Sequence, residues 1–336
     1  MNKNNQKKYS LVVIGSGKIA VEVENYSKLT QPATHAGAFQ NHPKIDLKGF
    51  VDIDKKRLYR TQKYFPGTTL FLSAEKMFQT IKPDVVSVAT YPDSHLELIR
   101  LAAKYKVKGI VCEKPITETI KDAEEIIRIC KKNKIILLVN HMRRFDPLIR
   151  EWHEKVKAGL IGEIIQGTCY YYNGLLNNGT HSIDLLRFFI GEVDWVMGIS
   201  NKKTSISKKD GNIDGMIGFK NGARVMVQSL PKNYGFLNFY FYGTKGRFLI
   251  KNAGYTIQLC NLVENKNYKD YFELSRPVIE EGKIRSFMAP MAEHLVRCLD
   301  GKEKPLNTGE DGLAALKVVE SLRKSARNNG KIIKIK

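Results

Sequence analysis

Cysteine is scarce in this 336-residue chain, and its five copies (Cys112, Cys130, Cys169, Cys260, Cys298) never fall into C-x-x-C spacing. A dispersed, odd set excludes a disulfide framework and a thiolate zinc site. No apolar run approaches the roughly 18 residues that a membrane span needs. The apolar segment after the polar, basic Met1–Lys8 ends at Gly15, too early for a signal peptide. A cytoplasmic protein with no membrane partner is expected. Acidic residues are also few: 34 against 55 basic ones, for a formal charge of +21. Such a balance suits nucleic acid or an anionic small molecule. The lysines are spread in pairs (Lys55–Lys56, Lys131–Lys132, Lys202–Lys203, Lys208–Lys209), with no long basic tract. No helix-turn-helix or aromatic-rich RNA motif accompanies them. The charge therefore reads as a solvated surface, with phosphate-bearing substrates second and nucleic acid excluded. Length alone points to two domains.

What is present begins with Leu11–Ile14, a β-branched run leading into Gly15-Ser16-Gly17-Lys18-Ile19-Ala20. Strand followed by G-x-G-x-x-A is the dinucleotide fingerprint: one glycine for the tight turn, one for close approach of a pyrophosphate, and a small residue for helix packing. Gln31-Pro32 and Thr34-His-Ala-Gly37 interrupt the helix that should follow, so an insertion is expected between Glu24 and Thr34. The next strand, Leu47–Val51, ends at Asp52, where a carboxylate would accept from the adenosine ribose and favour NAD over NADP. Asp52 stands 37 residues after Gly15 rather than about 20, which the insertion explains. His35 and His42 read as surface or packing residues, and no metal site is expected.

Helices at Lys55–Tyr64, Ser73–Thr80, Ser94–Lys104 (capped by Ser94) and Lys121–Lys132 alternate with strands at Val85–Ala89, Gly109–Cys112 and Ile135–Val139. Repeated β-α-β units imply a doubly wound parallel sheet. Thr90-Tyr91-Pro92 and Glu113-Lys114-Pro115 each follow a strand, so both should face the crevice of the glycine loop. Proline holds the residue before it out of the helical region, a way of aiming the Lys114 amine.

His141-Met-Arg143-Arg144-Phe-Asp-Pro147 closes the first domain and opens a helix, Leu148–Ala158. Beyond Gly162 strands dominate: Glu163–Tyr172, Trp195–Ser200, Gly215–Phe219, Arg224–Ser229, Leu237–Tyr242, Arg247–Ile250 and Tyr255–Cys260. With short turns between them, they predict a large, mostly antiparallel sheet. Helices at Ala289–Leu299 and Asp311–Arg327 and a strand at Lys331–Ile335 end the chain. One helix, Asn177–Phe189, breaks into this region and sets His181 and Asp184 on one face. His181 could be a general base; a packed histidine capping a turn is the plainer reading of pattern alone, as is a structural hydrogen bond for Asp184. The expected fold is thus α/β: a Rossmann domain over 1–140 and a second α/β domain over 141–336. The helix near 309–327 could pack back on the first.

In this order and spacing the motifs resemble the Gfo/Idh/MocA oxidoreductases: the glycine loop, Thr90-Tyr-Pro-Asp-Ser-His95, Glu113-Lys114-Pro115, Arg143-Arg-Phe-Asp-Pro147, Gly179-Thr-His181-Ser-Ile-Asp184 and Glu310-Asp-Gly312. The resemblance covers nearly the whole chain. It implies a nicotinamide cofactor (NAD, with NADP the alternative), held by Gly15, Ser16, Gly17, Lys18, Ile19, Asp52, Thr90, Tyr91, Pro92, His95, Glu113 and Lys114. A cis peptide before Pro115 is often part of it, and the open sheet commonly serves oligomerisation, so a homodimer or homotetramer is expected. The implied chemistry is hydride transfer from a sugar carbinol, with Lys114 and His181 as the catalytic pair and Arg143, Arg144 and Asn177 joining them in substrate binding. Either could be the base. Many members carry aspartate where this chain has Asn177; the Asn-x-x-x-His form is similar to members acting on nucleotide sugars. The expected substrate is accordingly a UDP-N-acetylhexosamine oxidised to a keto sugar in surface polysaccharide or lipopolysaccharide building. The alternatives are a dehydrogenase of a free sugar or inositol, or an NAD-dependent glycoside hydrolase of the same fold. A non-catalytic regulator is disfavoured, because lysine and histidine are both present.

Overall fold

In the computed structural model, which describes residues 8–25, 31–282 and 286–336, the chain divides into two units: 1–146 with 285–313, and 147–284 with 314–336. In chain order the first unit runs β1 (Tyr9–Ile14), α1 (His35–Gln40), β2 (Ile45–Val51), α2 (Lys55–Tyr64), β3 (Thr69–Phe71), α3 (Ala74–Ile81), β4 (Val85–Val88), α4 (His95–Lys104), β5 (Gly109–Cys112), α5 (Ile120–Lys132) and β6 (Ile136–Val139). The strands pair only in parallel, in the order β3-β2-β1-β4-β5-β6. Strands β4 and β5 are buried along their whole length, as expected of a parallel sheet covered on both faces. The order reverses between β1 and β4, the switch point at which such sheets bind ligands.

The first helix carries an interruption with a definite geometry. The His35 amide donates to the Ile19 carbonyl at 3.1 Å and the Ala36 amide to that of Ala20 at 3.0 Å. His35 therefore takes the place that residue 23 would hold in an unbroken helix, so twelve residues are inserted. Discounting them leaves Asp52 twenty-five residues after Gly15, near the usual spacing. Part of this insertion, like most of the basic segment at the N-terminus, lies outside the described residues. Thr34 caps α1 by accepting from the Gly37 amide.

The second unit holds α6 (Pro147–Lys157), β7 (Ile164–Tyr172), α7 (Thr180–Ile190), β8 (Val193–Ser200), β9 (Ile213–Phe219), β10 (Arg224–Leu230), β11 (Asn238–Gly243), β12 (Gly246–Lys251), β13 (Thr256–Glu264), β14 (Phe272–Leu274) and β15 (Val278–Glu281). After it come α8 (Ala289–Leu299), α9 (Gly309–Arg327) and β16 (Ile333–Lys334). Its sheet runs β14-β13-β12-β11-β7-β10-β9-β8-β16, with β15 on β13; only β7 and β10 pair in parallel. Ile149 and Trp152 of α6, Leu185 and Leu186 of α7 and Val318 and Leu322 of α9 join the buried sheet residues in one core. Each such side chain contributes roughly 1.5–3 kcal/mol of burial.

The domain division differs from the expected 1–140 and 141–336. The segment returning to the first unit is 285–313: Met291 and Leu295 of α8 pack with Leu11, Val111 and Leu138. Most of α9 belongs to the second unit. Ser94 is also corrected as a cap, since its hydroxyl donates to the Tyr91 carbonyl at 2.8 Å and meets Thr90 Oγ1 at 2.7 Å.

Candidate active site

In the first unit the glycine loop sits at the switch point. Ala89 N–H donates to the Ile14 carbonyl at 2.8 Å, drawing the ends of β1 and β4 together. Gly15 has φ +102°, and a Cβ there would lie 2.6 Å from the Ala89 oxygen. Only glycine fits that turn. At Gly17 the added carbon would meet nothing within 4 Å. One glycine is thus demanded by the protein's own backbone, and the other leaves space over the loop. Asp52 at the end of β2 accepts from the Ser16 amide at 2.7 Å through one carboxylate oxygen and from the Asp54 amide at 2.8 Å through the other. Each oxygen keeps acceptor capacity for a ribose hydroxyl. Ser16 is buried and Ile19 half-buried, whereas Lys18 and Tyr91 are exposed. An open seat above Gly17, ordered amides and a carboxylate at the neighbouring strand end fit a dinucleotide.

Lys114 lies just past β5, half-buried, and its bond to Pro115 is cis. The residue before it does something unexpected. The Glu113 side chain points into the unit, where Oε1 meets His35 Nε2 at 2.7 Å and accepts from Asn140 Nδ2 at 2.6 Å. His35 Nδ1 in turn meets the Ser87 hydroxyl at 2.8 Å. Burial alone would push the Glu113 carboxyl up; the bond and charge of His35, the charge of Lys114 and the Asn140 amide outweigh it and bring it to about 2. The expected cofactor contact by this side chain is therefore replaced by an internal one. Its partners are His35 at the start of α1 and Asn140 just past β6, with Ser87 of β4 behind His35, so it ties the glycine-loop helix to the lysine turn.

His95 is likewise corrected. It is fully buried, with Nδ1 at 3.0 Å from the Ile116 carbonyl and Nε2 at 3.2 Å from that of Thr90. Burial lowers its pKa, and the ring bridges the two loops rather than facing a cofactor. Arg144 is buried, with Nη1 donating to Asp311 at 3.1 Å. Arg143 is half-buried and lies over the Phe287 ring at 5.9 Å.

In the second unit, α7 is entered through a π-helical turn, Gly174–Gly179, of the kind frequent at functional sites. Asp210 satisfies the start of this turn, accepting from the Leu176 amide at 2.8 Å and the Asn177 amide at 2.9 Å; Arg323 holds the same carboxylate at 3.0 Å. Asn177 is exposed, with its side-chain amide donating to the Asn173 carbonyl at 3.2 Å. His181 and Asp184 are buried on α7, 6 % and 1 % exposed. The π turn and its Asp210 anchor went unseen in the sequence, where Asp210 stands in a lysine- and serine-rich loop.

A Cys–His–Glu row formed by α8 and the segment after it invites comparison with a nucleophile: Cys298 Sγ lies 3.4 Å from His294 Nε2, and Nδ1 lies 2.7 Å from Glu303. Burial pushes the thiol up to about 11, and the same Nε2 accepts the Leu306 amide. This row is structural. Among the described residues no group of three or more His, Cys, Asp or Glu is placed to hold a metal. No described helix is long and apolar enough to cross a membrane.

Residues 10–141 match the model of an oxidoreductase family with an NAD-binding Rossmann fold, and residues 173–335 match that of its C-terminal α/β domain. This chain belongs to the Gfo/Idh/MocA oxidoreductases. Its first unit is the family's NAD-binding domain. Among curated relatives it is similar to D-apiose dehydrogenase of Paraburkholderia graminis (22% identity, 90% of this chain and 86% of that one) and to myo-inositol 2-dehydrogenase of Thermotoga maritima (24%, 93% and 95%). Among solved structures it resembles the WlbA dehydrogenase from Bordetella pertussis in complex with NADH and UDP-GlcNAcA, with TM-score 0.78 and 17% identity over 98% of this chain and 99% of that one.

Proposed function

We propose that this oxidoreductase transfers hydride between NAD and a carbinol of a nucleotide-linked sugar, of the UDP-N-acetylhexosamine type. The observation that carries the redox reading is Lys114, set by a cis proline bond at the end of β5 beside the switch point and the glycine loop. When bound, the nicotinamide accepts the hydride. Lys114 donates a hydrogen bond to the reacting oxygen, and His181 takes the hydroxyl proton. Gly15, Ser16, Gly17 and Asp52 hold the cofactor, with Ile19, Thr90 and Pro92 lining its seat and Lys18 and Tyr91 at its exposed rim. Asn177, exposed at the start of the π turn, and Arg143 bind the sugar nucleotide; the surplus of positive charge favours an anionic substrate. The site serves surface polysaccharide building, and the open sheet joins copies into a dimer or tetramer in the cytoplasm.

The test is a panel of UDP-N-acetylhexosamines, free sugars and inositols followed at the reduced-nicotinamide absorbance. Turnover of nucleotide sugars alone is expected, and Lys114→Met should abolish it while NAD still binds. Undiminished activity in that variant would remove Lys114 from the chemistry. A second reading, a dehydrogenase of a free sugar or inositol, is favoured by the apiose and inositol dehydrogenases to which the chain is similar along most of its length. Reduction of NAD by those substrates alone would establish it.

A further inference from the structure

Lysines held close together repel one another unless carboxylates sit among them, and folding gains nothing from such a group. Between β8 and β9 four exposed lysines, Lys202, Lys203, Lys208 and Lys209, fall within one loop. None of them pairs with a carboxylate among the described residues. Lys44, Lys108 and Lys334, by contrast, each hold an aspartate within 2.7 Å. The loop's one acid, Asp210, is turned inward onto the Leu176 and Asn177 amides and Arg323. The loop is nonetheless fixed in place. Its ends join through the Asn201 amide and the Asn212 carbonyl at 2.9 Å. Buried Asn212 donates to the Thr204 carbonyl at 3.0 Å and accepts from the Gly174 amide at 2.9 Å. A Cβ on Gly174 would collide with the Asp210 carboxylate, so loop and π turn are seated directly against each other. Lys209 and Lys208 stand one and two residues before that contact, within about 4 and 8 Å along the chain.

We propose that Lys208 and Lys209, presented beside Asn177 by this pinned loop, bind the diphosphate of a nucleotide-linked substrate and so set the preference for a nucleotide sugar over a free one. The inference rests on the substrate reading above, because only a sugar nucleotide that meets Asn177 brings phosphate within reach of the loop. Lysine suits the task as a compact charge on a flexible stem, and the oxygens of a diphosphate can accept from two ammonium groups at once. Lys202 and Lys203, at the other end of the loop, add to the same positive field, which raises the local concentration of an anion. A free sugar or inositol carries no charge for these groups to meet and gains nothing from them.

The experiment titrates the full chain, saturated with NADH, with UDP and with uridine by isothermal calorimetry. UDP should bind wild type more tightly than uridine does. The double variant Lys208→Gln with Lys209→Gln should raise the UDP dissociation constant about tenfold, what two exposed charge pairs contribute. Its NADH dissociation constant should stay at the wild-type value, which reports an intact fold. Lys266→Gln with Lys269→Gln removes the same charge from the exposed loop after β13 and should change UDP binding by less than about twofold. UDP binding that is unchanged in the first variant, or weakened equally in the second, overturns the proposal. Turnover tells the two failures apart. If wild type oxidises UDP-N-acetylhexosamines and the Lys208→Gln, Lys209→Gln protein keeps the same KM for them, the loop alone loses its role. If wild type oxidises free sugars only and binds UDP no better than uridine, the nucleotide-sugar reading falls and the loop's role falls with it.

Discussion

The two glycines of the loop make opposite predictions, and together they separate folding from cofactor binding. In Gly15→Ala the new methyl carbon would stand 2.6 Å from the Ala89 oxygen and 2.8 Å from its carbon, at φ +102°. Neither the strand end nor the turn can yield without loosening the Ala89–Ile14 hydrogen bond. The backbone strain alone costs about 1–3 kcal/mol. For a unit of this size that lowers Tm by about 2–12 °C. In Gly17→Ala the methyl meets nothing within 4 Å, so the cofactor-free protein should melt within about 1 °C of wild type. That methyl would occupy the approach of the pyrophosphate, and the NAD dissociation constant should rise at least tenfold, about 1.4 kcal/mol. Differential scanning calorimetry without cofactor and a fluorescence titration with NADH measure the two quantities. A Gly17→Ala protein that binds NADH as wild type does would refute this placement of the cofactor. So would a Gly15→Ala protein of unchanged stability.

Three further outcomes are expected. The Glu113 carboxyl is depressed to about 2 from an ordinary 4.5, so its contribution to stability is present above about pH 4.5 and is lost as pH falls toward 2. The Tm difference between wild type and Glu113→Gln should accordingly shrink below about pH 4.5, and a gap that does not change with pH would contradict the buried ion. Tyr171→Phe removes a hydroxyl that donates to the Ile213 carbonyl at 2.9 Å and accepts from its amide at 2.7 Å, stranding the backbone N–H and C=O of one buried residue; a loss of about 2 kcal/mol in urea unfolding follows. Asp210→Ala strips the π turn of its anchor and should cost about 1–3 kcal/mol, with KM for the sugar rising more than kcat falls, because the turn carries Asn177.

The parallel sheet was legible because its buried strands are short apolar runs ending in unusual residues; Gly109–Cys112 coincides with the strand itself. The short helix α1 was not, since a proline, a threonine and a glycine crowd its start. Thr34 before His-Ala-Gly-Ala-Phe was the available signal, an N-cap opening an apolar turn. Strands β3, β14 and β15 escaped because they are short and lie at or near sheet edges, where pairing rather than burial defines them. The motif residues divide by side-chain direction, which spacing does not reveal. Tyr91 is exposed and Lys114 half-buried, whereas Glu113 and His95 from the same motifs are buried. Sequence order placed these motifs at one edge of the parallel sheet but could not tell which of their side chains are buried.

The stitched start of α1 has a consequence for how such a chain can change. Because Ile19 and Ala20 receive the amides of His35 and Ala36, the hydrogen-bond ladder passes over the inserted residues as though they were absent. The phosphate loop, the buried histidine and the acidic end of β2 keep their mutual geometry whatever length of chain runs between the two halves of the helix. That point is a splice site in the physical sense. Sequence can be gained or removed there without retuning the cofactor's seat, and a search that insists on fixed spacing would pass such chains by.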